Sequence, residues 1–534
     1  MRKVGLARRR DVSKSVLIRG GTVIDGTGGP PFKADVLVKW GRIAEVGNLQ
    51  AVEADLVIEA DGKAVCPGFI DTHTHSDLHL LADPQRTAAS SQGITTELLG
   101  QDGLSYAPLS PANLADYRRY LAGLNGNPPV EIKRAGVAEF RQLFHRTASV
   151  NTAYVVPHGA LRLETVGFSD VPLVGENLKR AQALLAEGFD QGAVAFSTGL
   201  SYYPCSYADT EELIELCKVA ALYQRPFVIH VRTVFPEAPF DPVAEAITIA
   251  ERSGAPLHIS HYRTGAHNPG QVEQLMDSLD AAAARGVDIS LECYPYPAGA
   301  GFALYMIPRW AHAGGYAALM ARLADPATRS CIAEDMNALG LVQDGIFTYL
   351  PEGPDQDLVG RAFEEVAAER RMDTAALICE LLFRNNLAVG FMQRPPQQSV
   401  WEQIDRDIME LIKRPNYMVG SDSINSAPHP HPRTYGCFTR FLRLQREHKF
   451  MPLEALINRM TALPARRFGL RDRGEIKRGK AADLVVFDPG TVRDRATYEQ
   501  PKQLSEGILA VLVNGEIVFS HGRSLGVMAG RALP

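Results

Sequence analysis

The feature that most constrains this chain is an alternation. Eight apolar runs occur at 68–75 (GFIDTHTH), 95–99 (TTELL), 152–156 (TAYVV), 193–198 (AVAFST), 226–231 (PFVIHV), 256–261 (PLHISH), 288–296 (DISLECYPY) and 417–422 (YMVGSD). Between several of them lie segments of helical period, such as ADTEELIELCKVAALYQ, DPVAEAITIAERSG and PGQVEQLMDSLDAAAARG. Strands buried on both faces read as continuous apolar runs, and amphipathic helices are what cover them. Eight such units predict an α/β fold, a (β/α)8 TIM-like barrel, with its active site at the C-terminal ends of the strands.

The flanks read differently. Residues 16–66 and the segments ADLVVFDPG and ILAVLVNGEIVFSHG are short strands separated by Gly turns. They predict a small β-sandwich domain built from both termini. The stretch from about residue 300 to 416 is far longer than an ordinary βα link, which predicts a helical insertion before the last barrel strand. The expected division is therefore 1–66 for the N-terminal part of the sandwich, 67–465 for the barrel with an inserted cap at about 300–400, and 466–534 for the C-terminal part. A length of 534 residues accommodates a barrel and an accessory module.

Composition narrows the function class. A 46% hydrophobic, 22% charged chain of net charge −5 is that of a globular protein with no electrostatic case for nucleic acid or an anionic membrane. No run reaches transmembrane length, and the basic start MRKVGLARRRDVSKSV lacks the apolar core of a signal peptide. A cytoplasmic location and a small-molecule partner are the expectation. Seven scattered cysteines without a CxxC pair fit neither a disulfide framework nor a cysteine zinc knuckle.

The chemistry sits at the strand ends. His73 and His75 close the first run, and two residues apart on a strand they face the same side. His230 lies near the end of the fifth run, His261 ends the sixth and Asp422 ends the eighth. Any one of these is an ordinary hydrogen-bonded residue; together, at one mouth of one barrel, they form a divalent-metal set. Imidazole and carboxylate donors suit Zn²⁺ first, then Co, Mn, Ni or Fe. Asp422, at the metal edge, is the natural general base. His158 and Arg162 follow the third strand and by position reach the pocket, while Ser197 and Thr198 end the fourth. His429 and His431 flank a Pro-rich loop. The turn GQDG (100–103) ends the second strand with a carboxylate, Asp102, whose plain role is to bond its own backbone.

The motifs PGFIDTHTHSD, a His on each of strands five and six and an Asp on strand eight resemble the amidohydrolase superfamily. GAVAFSTGLSYYPCSYADTEELIEL, CYPYPAG, HPRTYGCFTRFLR and the segment from RMTALPARRFGL to ADLVVFDP are similar, more narrowly, to the N-acyl-D-amino-acid deacylases, or D-aminoacylases. That resemblance implies metal ligation by His73, His75, His230, His261 and Asp422, with one or two zinc or other divalent ions. It places Asp102 where the family carries a bridging cysteine, a harder ligand for a softer one. Substrate carboxylate binding falls to Arg263, Tyr294 and Arg433, with Arg263 standing where the family pattern has lysine. The implied activity is hydrolysis of the amide of N-acyl-D-amino acids by a metal-activated water. The alternative is hydrolysis of a cyclic amide, imide or other C–N bond, as in hydantoinase- or dihydropyrimidinase-like relatives, whose bridging lysine has no counterpart near the end of run four.

Overall fold

The computed structural model describes residues 15–132, 136–232 and 241–534. Eight parallel strands form the central sheet: β1 (Phe69–Asp71), β2 (Ile94–Leu99), β3 (Asn151–Pro157), β4 (Ala195–Gly199), β5 (Phe227–His230), β6 (Leu257–Ile259), β7 (Ile289–Cys293) and β8 (Tyr417–Val419). Each pairs with its sequence neighbour, so the sheet runs in chain order from β1 to β8. Beyond the strand ends, Thr74–His75 pairs in parallel with Ser423–Ile424, which draws the two edges together at the mouth. This is the (β/α)8 TIM-like barrel.

Local chemistry sets the helices. Asp209 accepts a hydrogen bond from Glu212 N (2.8 Å) and so caps Thr210–Leu222 after β4. Asp241 accepts from Val243 N (2.9 Å) ahead of Pro242, a first-turn proline, and Pro242–Ser253 stops at Gly254 in the left-handed region.

Both ends of the chain share one nine-stranded sheet. Ala64–Pro67 is the join: it runs parallel to Ser15–Val23 and antiparallel to Leu484–Phe487. The sheet curls over its own apolar cluster, which takes Val36 and Ile43 from one end and Leu484 and Leu512 from the other. The turn after Phe32–Lys39 meets the C-terminal strands, where Ala482 N donates to Gly41 O at 3.0 Å.

The insertion between β7 and β8 is mostly helical, with Gly315–Ala324, Pro326–Ala338, Phe363–Arg370, Thr374–Arg384 and Gln398–Leu411. It also contains a three-stranded antiparallel sheet of Ala300–Phe302, Gly390–Gln393 and Gly345–Tyr349, which the periodicity did not reveal. Among the described residues no helix is long and apolar enough to cross a membrane.

Candidate active site

The backbone is strained where the chemistry is. Asp102, His261 and Asp422, each just past the end of a different strand, adopt φ of +57°, +38° and +50°. For non-glycine residues the left-handed region costs roughly 1–2 kcal/mol apiece, and such outliers gather at functional sites. Around Asp102 the glycines explain how the turn is possible. A Cβ on Gly100 (φ +89°) would stand 2.1 Å from Val155 O, and one on Gly103 (φ +69°) 2.7 Å from Cys205 Sγ. Ser197 pins the turn from β4: its hydroxyl donates to Gly100 O and accepts from Gly103 N at 3.1 Å. Asp422 N donates to His73 O at 2.8 Å, which couples the last strand end to the first.

The result is a convergence of six side chains. Asp102 Oδ2 lies 3.6 Å from His73 Nε2, 3.5 Å from His75 Nε2 and 3.8 Å from His230 Nδ1. Asp422 Oδ1 lies 3.7 Å from His73 Nε2 and 3.4 Å from His75 Nε2. His230 Nδ1 and His261 Nε2 are 2.9 Å apart. Donor atoms about 2.1 Å from one tetrahedral ion are about 3.4 Å from each other, so the spacing suits shared coordination better than direct hydrogen bonding. Two triads meet the distance requirement for one ion, His73–His75–Asp422 and His73–Asp102–His261. His73 Nε2, His75 Nδ1, His230 Nε2 and Asp102 Oδ1 are buried with no hydrogen-bond partner. A divalent cation fits such a donor set and accounts for the orphaned His73 Nε2, which faces both carboxylates. The Asp102 carboxylate therefore faces the histidines and not its own backbone.

Electrostatics agree. Burial works against charge on Asp102, but the imidazoles of His73, His75 and His230 hold its pKa well below the usual carboxylate range. Burial likewise raises Asp422, and is outweighed by Arg433, His75, His73 and His261. His261 is pushed down to about 3 by burial and then by His230, leaving a neutral imidazole with a lone pair to offer.

A cavity of about 580 Å³ opens onto this cluster and is bounded by His230, His261, Asp422, Arg263, Tyr294 and the insertion. The Arg263 guanidinium lies 4.6 Å from the Tyr294 ring centre and donates to Tyr294 Oη (3.1 Å) and to the carbonyls of Thr264 and Pro297. Arg433 stacks on the same ring at 4.5 Å. It is fully buried, 3.0 Å from Asp422 Oδ2, and is not part of the cavity wall.

His158 requires a correction. It does not line the cavity: Nδ1 meets Thr198 Oγ1 at 2.9 Å and Nε2 meets Glu212 Oε1 at 2.7 Å, so both ring nitrogens are engaged inside the protein. Arg162 joins the same buried carboxylate at 2.5 Å. His429 and His431 pack on Tyr498, through its carbonyl (2.9 Å) and its hydroxyl (3.1 Å).

Sequence reasoning missed Glu292 on β7. Its Oε1 is 2.5 Å from His73 Nδ1, while Oε2 accepts from Thr72 Oγ1 and lies 3.3 Å from His258 Nε2. Gly420 makes room for it, since a Cβ there would come 2.5 Å from Glu292 Oε2. A carboxylate on the far nitrogen of an imidazole fixes its tautomer and turns the other lone pair outward. The only signal in the sequence was a charged residue inside an otherwise apolar run.

A family model described as "Amidohydrolase family" matches residues 56–519. The chain belongs to the amidohydrolase family. Three relatives from Alcaligenes xylosoxydans xylosoxydans have near-equal similarity to this amidohydrolase. An N-acyl-D-glutamate deacylase is 34% identical (94% of this chain, 93% of the relative) and an N-acyl-D-aspartate deacylase 34% (97% and 94%). A D-aminoacylase is 33% identical (97% of each chain). Among solved structures, an N-acyl-D-glutamate deacylase from Bordetella bronchiseptica, in complex with zinc and a phosphonate inhibitor, superposes with a TM-score of 0.80 at 32% identity. The match covers 97% of this amidohydrolase and 99% of that chain. A D-aminoacylase studied for its binuclear metal centre gives 0.79 at 32%, with 97% and 98% covered.

Proposed function

We propose that this amidohydrolase cleaves the amide of N-acyl-D-amino acids with neutral side chains, using one or two divalent ions, zinc foremost, held by His73, His75, Asp102, His230, His261 and Asp422. The observation that carries the reading is Arg263. Its guanidinium faces the cavity beside His261 and Tyr294, with carbonyls and a phenol as partners and no carboxylate among the described residues. A substrate carboxylate completes it by a charge-assisted fork. The full-length similarity to three deacylases of N-acyl-D-amino acids supports the same class.

A divalent ion in the cluster supplies an acidified water and polarises the acyl carbonyl. The chain does the rest. Asp422, kept ionised by Arg433, accepts the proton of the attacking water and delivers it to the departing amine. Arg263 and Tyr294 fix the carboxylate end so that the amide meets the cluster. Arg433, buried behind the cavity wall, acts through Asp422 and not on the substrate.

Relatives of near-equal similarity do not separate acidic from neutral side chains, so the cavity has to. Apart from histidines, its described cationic side chains are Arg263 and Arg394. Arg394 is already matched, 3.1 Å from Asp344 and 3.7 Å from Glu364. The remaining surface includes Tyr202, Tyr305, Phe391 and Gln393, which suit an apolar or amide group and offer a second carboxylate no cationic partner. A cytoplasmic location belongs to the same proposal, as does a division into barrel (67–465) and terminal sheet (1–66 and 466–534).

Elemental analysis followed by a panel of N-acetyl-D- and L-amino acids, cyclic imides and ureas tests it. Metal-replete protein is expected to favour N-acetyl-D-leucine or D-methionine over N-acetyl-D-glutamate by at least about tenfold in kcat/KM. Cleavage of cyclic imides but of no N-acyl-D compound overturns the class. Preference for N-acetyl-D-glutamate overturns the side-chain assignment alone.

A further inference from the structure

The opposite end of the barrel holds a second cavity, of about 630 Å³. It lies against Val194 and Pro226, just before β4 and β5, and against the turn that leads from the barrel to the terminal sheet. It is therefore remote from the strand ends that carry the histidines.

Its charge is one-sided. Arg225, Arg466, Arg467, Arg471, Arg473 and Lys480 line it, against one side-chain carboxylate, Glu475, and the main-chain carboxylate of Pro534. Three of the cations are matched: Arg467 to Asp288 at 2.8 Å, Arg473 to Asp483 and, at 3.1 Å, to Asp472, and Lys480 to Glu475 at 3.5 Å. Among the described residues, Arg225, Arg466 and Arg471 have no carboxylate within ion-pair distance.

Two observations separate this from a solvated basic surface. Arg225 is held against the turn, where a Cβ on Gly469 would stand 3.1 Å from its Nη1. The Nε atoms of Arg225 and Arg467 are buried without an acceptor, and the Arg467 side chain is only 9% exposed. Burial, and after it the charge of Arg471, pushes the Arg225 pKa down. Guanidinium groups converging on a polar cavity with orphaned N–H donors lack one thing, an anion that accepts several hydrogen bonds at once.

We propose that this cavity binds a multivalent phosphate-type oxyanion, at a site distinct from the catalytic cluster. Planar forks match phosphate oxygens bidentately, and the opposing positive charges that destabilise the empty cluster become the binding energy of the filled one. The volume admits more than a bare tetrahedral anion, so free phosphate and a nucleoside diphosphate share the required chemistry.

Titration calorimetry on metal-replete enzyme tests this with two probes, inorganic phosphate and adenosine diphosphate, in low-salt chloride buffer. Wild type is expected to bind at least one probe, more weakly as salt rises. The double variant Arg225→Gln/Arg471→Gln is expected to lose about tenfold or more in that affinity. Its amidase activity without added anion is expected to stay unchanged. Arg466→Gln alone is expected to give a smaller loss. Equal affinity for the two probes identifies the oxyanion as what is recognised, and tighter diphosphate binding adds the nucleoside. Absence of binding by both probes, or equal binding by wild type and double variant, overturns the proposal; the latter assigns the heat to the metal centre. The double variant relieves repulsion, so its melting temperature in anion-free buffer is expected to equal or exceed that of wild type. A lower value also counts against an uncompensated cluster.

Discussion

Glu292→Gln is the sharpest perturbation available, because it keeps shape while removing one charge behind His73. The carboxylate meets His73 Nδ1 at 2.5 Å, accepts from Thr72 Oγ1 and lies 3.3 Å from His258 Nε2. An amide offers one oxygen and one NH₂. If the NH₂ faces His73, the imidazole proton has to move to Nε2, the atom 3.6 Å from Asp102 and 3.7 Å from Asp422, which spoils it as a metal donor. If the oxygen faces His73, Thr72 turns to Val419 O at 3.1 Å and His258 shifts its proton to Nδ1, beside Ser290 Oγ at 2.8 Å. The second arrangement loses no hydrogen bond, so the variant sacrifices charge and not geometry.

A lost carboxylate behind a ligating imidazole typically weakens metal affinity by about 10–100-fold, which is about 1.4–2.7 kcal/mol. Zinc competition between apo protein and a fluorescent indicator measures this without reference to turnover. Activity at saturating metal is expected to recover most of its value, and Glu292→Asp to fall between the two. Were Glu292 only a packing residue, melting temperature would shift while zinc affinity stayed within about twofold of wild type; that result refutes the reasoning.

Other perturbations follow from the same contacts. Asp102→Ala is expected to lower bound zinc per chain and to cut activity by at least about 100-fold, whereas Asp102→Cys retains metal; elemental analysis of the three proteins decides this. Glu212→Gln leaves Arg162 buried beside a neutral amide and is expected to cost about 3–5 kcal/mol in urea unfolding, with kcat per folded molecule unchanged. His312 is buried between Tyr120 Oη (2.6 Å) and Ile307 O (3.0 Å), and burial takes its pKa down to about 3. Its folded value lies below the unfolded 6.5, so its stabilisation is present above that pH and is lost as pH falls toward 3. Between those limits wild type is expected to lose about 1.4 kcal/mol per pH unit more than His312→Gln, measured by urea midpoints at several pH values.

How far the sequence could be read depended on the range of the interaction. All eight barrel strands were legible because a strand covered on both faces leaves a continuous apolar run, and the first, fifth, sixth and eighth runs carried at or near their ends the histidines and the aspartate of the barrel mouth. The three strands of the insertion were not: Gly345–Tyr349 and Ala300–Phe302 acquire their pairing from Gly390–Gln393, some forty or more residues away, and no local period records that. His158 misled for a related reason. Its place after β3 pointed to the mouth, but Glu212, from the next βα unit, captures the ring. Glu292 escaped because one acidic residue in an apolar run has no motif; its meaning appears only when Thr72, His73 and His258 arrive from two other strands.

The GQDG turn carries the synthesis one step further. The Asp102 carboxylate has two oxygens and a long reach. The turn must hold it back, and does so with left-handed backbone at Asp102 between Gly100 and Gly103, closed from beneath by Ser197. His261 and Asp422 are held in the same costly region on two other strands. Strain of roughly 1–2 kcal/mol at each of these three positions opposes folding. A cation that draws the donors together would offset that cost. Metal binding is therefore expected to stabilise the barrel mouth, and the second strand's polar turn, which presents Asp102, is one of the places where it would do so.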